Sequence, residues 1–567
     1  MEKLKKWINR AWPYAGLALV SLFLLYTQWL YRITPISGDT YFHYSRFYDA
    51  AMQIRNWNFS YFQTNYGFDQ AGRVINAMYG PLFAYGMGVL VLLTHSWFRF
   101  KLISSFLFVL IGSSGMYHLC WRMTKNKETS FLIALAYIGL SKLTYWQSVS
   151  NFAAINEMLA PFVMLCGVRM ITNHDRPINW VQLGLTMAVV GQIHLLSCLI
   201  FSIALIPFFI MGLVTTKQAK TVWLNFAGAI ALAALLTMNV WLVLIHFFIA
   251  ERIFTPYPMS LAENSLKIQT IPRTIVIPLT WIFLFACLLN GIYLLKHRRE
   301  DKTNNLIFCN GLAFFLLSTD LIPWGYIEAK LPVLQTAFQN PKRFLIVADT
   351  LLLLSLGMTF SRVLGAFSKS SKVHSLLVIS LLLVAMSGYI KVNDLNNFYT
   401  YFFKFNSGLQ QVNNAAADRN LDLLFQTVSS VPSPDYLPKR QEISSKHAQE
   451  VYKQEVIDRK QQFKHQVLAN SKLRLTWTNS GKTKKKTKLP IVMYRESKLV
   501  TKSKLYKIDA IGVPTVYSRP GKNEATLSFR QPSWFKWILW LVLVNWAAAI
   551  FLACWQRVRF RAQTAVS

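Results

Sequence analysis

Long apolar runs separated by short polar loops recur along this chain. A membrane-crossing helix needs about 20 apolar residues, and basic loops favour the cytoplasmic side. Lys3, Lys5, Lys6 and Arg10 therefore put the N-terminus in the cytoplasm, and residues 12–31 lead outward. Residues 82–94 are apolar but short for a span, so they re-enter or share a crossing with 101–121, which return to the basic loop Arg122 to Glu128. The alternation then continues: 130–147 out, 153–171 in, 178–194 out, 195–215 in and 222–248 out. Next come 274–295 in, 305–319 out, 344–366 in and 374–391 out, with 534–555 returning to a basic tail. The expected fold class is mainly α: a polytopic helical membrane protein of about 12–14 spans.

The pattern changes in residues 392–533, expected to lie outside the cell with the loop 32–80. Residues 396–470 read as helical and polar. Within 471–531, Leu473, Leu475 and Trp477 alternate with polar residues, as do Ala525, Leu527 and Phe529. That period of two, broken by Pro490, Gly512, Pro514 and Pro520-Gly521, predicts a small β-sandwich. The domains are thus a transmembrane unit (1–391), an external α+β unit (392–533), and an anchor with a cytoplasmic tail (534–567).

Composition narrows the class. Of 567 residues 53% are hydrophobic and 15% charged, which excludes a disordered chain. All six cysteines sit in apolar runs, against a disulfide framework. The N-terminal apolar run lacks a small-residue cleavage site and reads as a retained anchor. The net charge of +35 would suggest nucleic acid in a soluble protein. Here the basic residues flank spans or lie in the external unit, so nucleic acid is not expected, and anionic lipid or an anionic cell-wall polymer is. The run Lys482, Lys484, Lys485, Lys486 and Lys488 reads as a flexible loop between strands, either simply solvated or in contact with teichoic acid or lipid headgroups.

Candidate chemistry begins at SGDTYFHYSR, residues 37–46. Asp39, His43 and Arg46 are spaced i, i+4 and i+7, which puts them on one helical face. A carboxylate, an imidazole and a guanidinium there suit a base, a relay and an anion clamp; the bland reading is a polar face meeting water. Asp69, Arg73 and Asn76 follow in the same loop. Glu157 opens a span, as a helix cap or a functional carboxylate, and His194 sits at a span boundary. Pro341 marks a helix start, with Lys342 and Arg343 at headgroup height as snorkelling anchors or as a grip on a lipid-linked phosphate. These groups all fall at the external face, which suggests one shared aqueous cleft.

Taken in order, GDTYFHYSRFYDA, YGPLFAY, NEMLAPF, QIH and FQNPKRF resemble the bacterial membrane family labelled "6-pyruvoyl-tetrahydropterin synthase-related", which is similar to YfhO-type proteins and to the GT-C glycosyltransferases. The resemblance implies transfer of a sugar from a polyprenyl-phosphate donor to a cell-envelope acceptor outside the membrane. It implies Asp39 as catalytic base or metal ligand; by their own placement in the sequence, His43 and Glu157 are the further catalytic candidates, and Arg46, Arg73, His194, Lys342 and Arg343 the substrate-binding ones. A divalent ion, Mg or Mn, is used by some GT-C enzymes and not by others; Asp39 and Glu157 are the ligands if one is used. Relatives often carry an Arg before a Gly-Glu pair where this chain has Asn151 and Asn156-Glu157. The competing readings are a lipid-linked-sugar flippase or transporter and a non-catalytic wall-assembly protein; no internal repeat supports a transporter.

Overall fold

The structure, a computed structural model, describes residues 2–36, 38–149, 151–268, 277–365, 409–428 and 430–566, with isolated positions between 366 and 408. The expected span 374–391 and the start of the external unit lie outside the described residues.

Helices α1 (Glu2–Phe23), α2 (Tyr26–Leu30), α3 (Gly38–Arg55) and α4 (Pro81–Thr94) open the chain. The bundle continues through α5 (Trp97–Thr124), α6 (Lys127–Leu140), the short α7 (Tyr145–Val149), α8 (Ala153–Thr172), α9 (Trp180–Ile193), α10 (Leu195–Thr215), α11 (Ala219–Leu236) and α12 (Met238–Ala250). After the turn α13 (Leu261–Asn264) come α14 (Ile277–Lys296), α15 (Lys302–Leu317), α16 (Trp324–Lys330), α17 (Val333–Ala337) and α18 (Leu345–Gly365). Helices α19 (Leu409–Ala417), α20 (Asp422–Thr427) and α21 (Ser445–Tyr452) lead to seven strands, and α22 (Ser533–Val566) closes the chain.

Six described helices are long and apolar enough to cross a membrane, fewer than the 12–14 expected, and four shorter apolar helices accompany them. The difference lies largely in helices too short to qualify, such as α6 and α9 with 14 residues each and α15 with 16, and the hydropathy pattern also hides a break. The single span expected over 222–248 is interrupted at Thr237. There Gln192 Nε2 donates to the Leu236 carbonyl and to Asn239 Oδ1, both at 2.7 Å. A neighbouring side chain thus answers the backbone carbonyl that the break exposes, as burial requires.

Loops gather at two ends. At one, Lys127 Nζ donates to the Asn9 carbonyl at 2.8 Å, Thr216 Oγ1 to the His174 carbonyl at 2.9 Å, and Asn179 Nδ2 to Gln556 Oε1 at 3.3 Å. This end carries the basic loops used in the sidedness argument. At the other end the C-terminal unit docks: the Thr34 amide meets Asn413 Oδ1 (3.0 Å), Trp97 Nε1 the Leu421 carbonyl (3.0 Å), and the Val492 amide the Ala71 carbonyl (2.8 Å).

The residues flanking α4 both lie against α3. Tyr79, just before it, stands 5.8 Å from the His43 ring, and Trp97, just after it, stacks on Tyr44 at 4.5 Å. Gly88 lets the middle of α4 lie on Ala50 and Ala51, where a Cβ would come within 2.8 Å of backbone. The residues on either side of α4, and its middle at Gly88, thus lie along α3.

The strands form two antiparallel sheets, ordered β1-β2-β7-β4 and β3-β6-β5. Strands β1 (Lys464–Leu468), β2 (Lys472–Asn479), β4 (Ser497–Thr501) and β7 (Gly521–Phe529) make the first; β3 (Lys485–Lys488), β5 (Lys504–Ile508) and β6 (Pro514–Ser518) make the second. Leu473, Leu475, Trp477, Ala525 and Leu527 point inward, as their alternation predicts, against Leu489, Ile491 and Val516. Two expectations are corrected. Among the described residues, 430–470 are less helical than expected: an irregular stretch precedes α21, and β1 begins at Lys464. The lysine run is not wholly a loop, since Lys485–Lys488 pair with β6.

Candidate functional site

Helix α3 carries the sequence motif, and Asp39 in its first turn is open to solvent. Asp39 is exposed, whereas His43 and Arg46 are buried. The face shared by these three positions is thus half inside the protein. Arg46 Nε donates to Asn76 Oδ1 (3.1 Å), Nη1 to His43 Nδ1 (3.3 Å), and Nη2 to the carbonyls of Tyr79 (2.6 Å) and Gly80 (3.3 Å). Its guanidinium lies 4.4 Å from the Tyr79 ring centre. Burial pushes the group down to about 10, so it stays cationic at neutral pH. His43 stacks on Phe152 at 4.3 Å. Burial, then the nearby Arg46 charge, holds its imidazole well below the usual range. A neutral ring that accepts at Nδ1 carries its proton on Nε2. The structure thus places His43 and Arg46 in a packed platform beneath Asp39, with Arg46 occupied by protein acceptors.

Arg343, far along the chain, is near enough for its charge to act on Asp39, though no ion pair among the described residues joins the two. Asn340 Oδ1 caps the Lys342 amide at 2.9 Å, and Pro341 begins the turn Pro341–Phe344, as the sequence predicts. Gln339 Oε1 accepts from Arg343 Nη2 at 2.9 Å. Protein mass around Asp39 lifts its carboxyl above the ordinary value, and the Arg343 guanidinium opposes that lift. His194 stands between α9 and α10, where its Nδ1 accepts from the Ser197 amide at 3.3 Å. Burial, then the charges of Arg343 and Arg46, pushes its imidazole down to about 3.

Asp435 comes to the same place from the C-terminal unit. Burial lifts its carboxyl, Arg73 opposes the lift and Asp39 adds to it. Arg73 itself is buried, donating from Nη2 to the Asp435 carbonyl and lying 5.0 Å from the Tyr452 ring centre. It holds the docked unit rather than an open pocket. Asp435 was not a sequence candidate; nothing in VPSPDYL marks it until the fold brings residues 39 and 435 together.

Glu157 is deeper, wholly buried between helices rather than capping one at the surface. Tyr137 Oη lies 3.0 Å from its Oε2. Lys142 is within electrostatic reach of Glu157 and of Asp349, and its Nζ donates to the Lys342 carbonyl at 2.8 Å. Lys142 and Asp349 were also missed, because each stands alone in its stretch of sequence. Different cations act on the two carboxylates, Arg343 on Asp39 and Lys142 on Glu157. Among the described residues no group of three or more His, Cys, Asp or Glu side chains is placed to hold a metal.

Fold and site together define a multi-pass helical membrane protein with a β-sandwich unit at one end and an ionisable cluster, Asp39, His194, Arg343 and Asp435, between the two. No family model matches the sequence, and no curated protein matches it. Among solved structures, the Archaeoglobus fulgidus oligosaccharyltransferase in its apo form is similar at 11% identity, over 72% of this chain and 60% of that one, with a TM-score of 0.38. A likeness of that size carries no argument about residues or chemistry.

Proposed function

We propose that this protein is a membrane glycosyltransferase that moves a sugar from a polyprenyl-phosphate donor to a cell-envelope acceptor, on the side where the sandwich lies. The observation that supports it most is the exposed Asp39 carboxylate at the end of the bundle where the sandwich docks, near enough to Arg343 for that charge to act on it. Arg343 and Lys342 grip the donor phosphate, with the prenyl chain beside α18. Asp39 takes the proton of an acceptor hydroxyl as its oxygen attacks the anomeric carbon. The bond from that carbon to the phosphate oxygen breaks, and its electron pair leaves with the phosphate. A phosphate is a competent leaving group, so the protein's part is positioning and charge stabilisation. A single displacement inverts the anomeric carbon. The sandwich, rich in exposed lysine, suits an anionic acceptor polymer.

Asp39→Asn tests the reading. Transfer of labelled sugar from a polyprenyl-phosphate donor should fall roughly 10²–10⁴-fold, with the protein still folded in the membrane. Undiminished transfer would remove Asp39 from the mechanism. A second reading, a lipid-linked-sugar flippase, is favoured by Glu157, Lys142 and Asp349 inside the bundle, since intramembrane charges often mark transport paths. Translocation of a fluorescent prenyl-linked sugar by reconstituted protein, unaffected by Asp39→Asn, would support that reading instead.

A further inference from the structure

A groove runs up the outer side of the bundle between the first two helices and the start of α5. Its lower part, about 660 Å³, is lined by Leu19, Leu22, Phe23, Tyr26 and Phe106. Its upper part, about 550 Å³, contains Arg32 and Arg99. Trp29, Leu102 and Ile103 line both, so the two parts are continuous. The groove spans the turn between α1, which ends at Phe23, and α2, with α5 as its other wall. None of its lining residues belongs to the Asp39–Arg343 cluster.

The two ends differ in chemistry. The lower walls are apolar and open to the perimeter: Leu19, Leu22 and Phe23 are each more than half exposed. Tyr26, Trp29 and Tyr31 are exposed near the top, where aromatic side chains mark the membrane–water boundary. Arg32 and Arg99 are exposed just at that level. Among the described residues neither guanidinium has a carboxylate partner. An apolar channel capped by two uncompensated guanidinium groups is complementary to one kind of molecule, an acyl chain carrying an anionic phosphate. Guanidinium forks match phosphate oxygens better than any other basic side chain.

We propose that this groove binds an anionic glycerophospholipid, its acyl chain along Leu19–Phe106 and its phosphate between Arg32 and Arg99. The site takes a resident lipid. It needs no transfer chemistry and stands whether or not the protein is a glycosyltransferase.

The test uses the full-length protein in nanodiscs of equal phosphatidylglycerol and phosphatidylcholine, released into the gas phase for native mass spectrometry. The wild-type protein should retain phosphatidylglycerol roughly 25-fold over phosphatidylcholine, about fivefold for each of the two basic groups near the surface. The double variant Arg32→Gln/Arg99→Gln should lose that preference. Ile103→Trp, which fills the channel from a partly exposed position, should reduce retention of both lipids. Equal retention of the two lipids by the wild type, or a preference unchanged in the double variant, would overturn the proposal. So would a wild-type dimer that Ile103→Trp dissociates, because a second copy would then be the occupant.

Discussion

Arg46 and Arg343 are both cationic residues of the site region, yet they differ in what they can still bind. Arg46 spends its donors on Asn76, His43 and two backbone carbonyls, while Arg343 has one side-chain acceptor in Gln339 and acts on Asp39 through its charge. The opposition between burial and Arg343 at Asp39 gives a pH prediction. A general base works only when deprotonated, so transfer should rise with pH through a value above the ordinary aspartate 3.8. Arg343→Gln removes the opposing cation, so this limb should move to higher pH in a pH–rate profile, beyond any loss of donor binding. A limb that stays in place would show that the two groups are not coupled in the working enzyme. At this scale Asp39 and Arg343 were legible, because GDTYFH and FQNPKRF put charges at the ends of apolar runs. The inward turn of His43 and Arg46 was not. Helical spacing says which side chains share a face, but the partners that bury this face, Tyr79 and Phe152, lie far along the chain.

Among the elements, α4 depends most on a single residue. Gly80 precedes it with φ +79°, and a Cβ there would stand 2.0 Å from the Gln192 carbonyl oxygen. Gly80→Ala therefore meets both backbone strain and a clash with backbone that cannot swing aside, at a cost of at least 1–3 kcal/mol by order of magnitude. The expected result is a lower unfolding temperature in a fluorescence thermal scan; a variant as stable as the parent would mean that α4 and the α9–α10 corner are not packed as described. The sandwich strands were legible where Leu473, Leu475 and Trp477 alternate with polar residues. Strand β3 was not, because Lys-Lys-Thr-Lys offers no inward apolar position and its pairing with β6 is set by the backbone. The break at Thr237 escaped notice for the opposite reason: hydropathy stays high on both sides of it.

For the whole molecule, the grouping of loops at two ends agrees with the alternation drawn from the basic loops, although fewer helices than expected reach span length. The sidedness itself is a proposal with a direct check. In a background lacking the native cysteines, a cysteine at Lys482 should react with a membrane-impermeant maleimide in intact cells. One at Asp175 should react only after permeabilisation. The reverse pattern would put the sandwich and Asp39 in the cytoplasm and remove the proposed donor chemistry. Lys142 joins the two regions of charge: it sits near the carboxylates between the helices, and its ammonium also holds the carbonyl at the start of the cationic turn. An engineer who grafted residues 339–344 onto another scaffold without that lysine would carry over the two positive charges but not the strut beneath them.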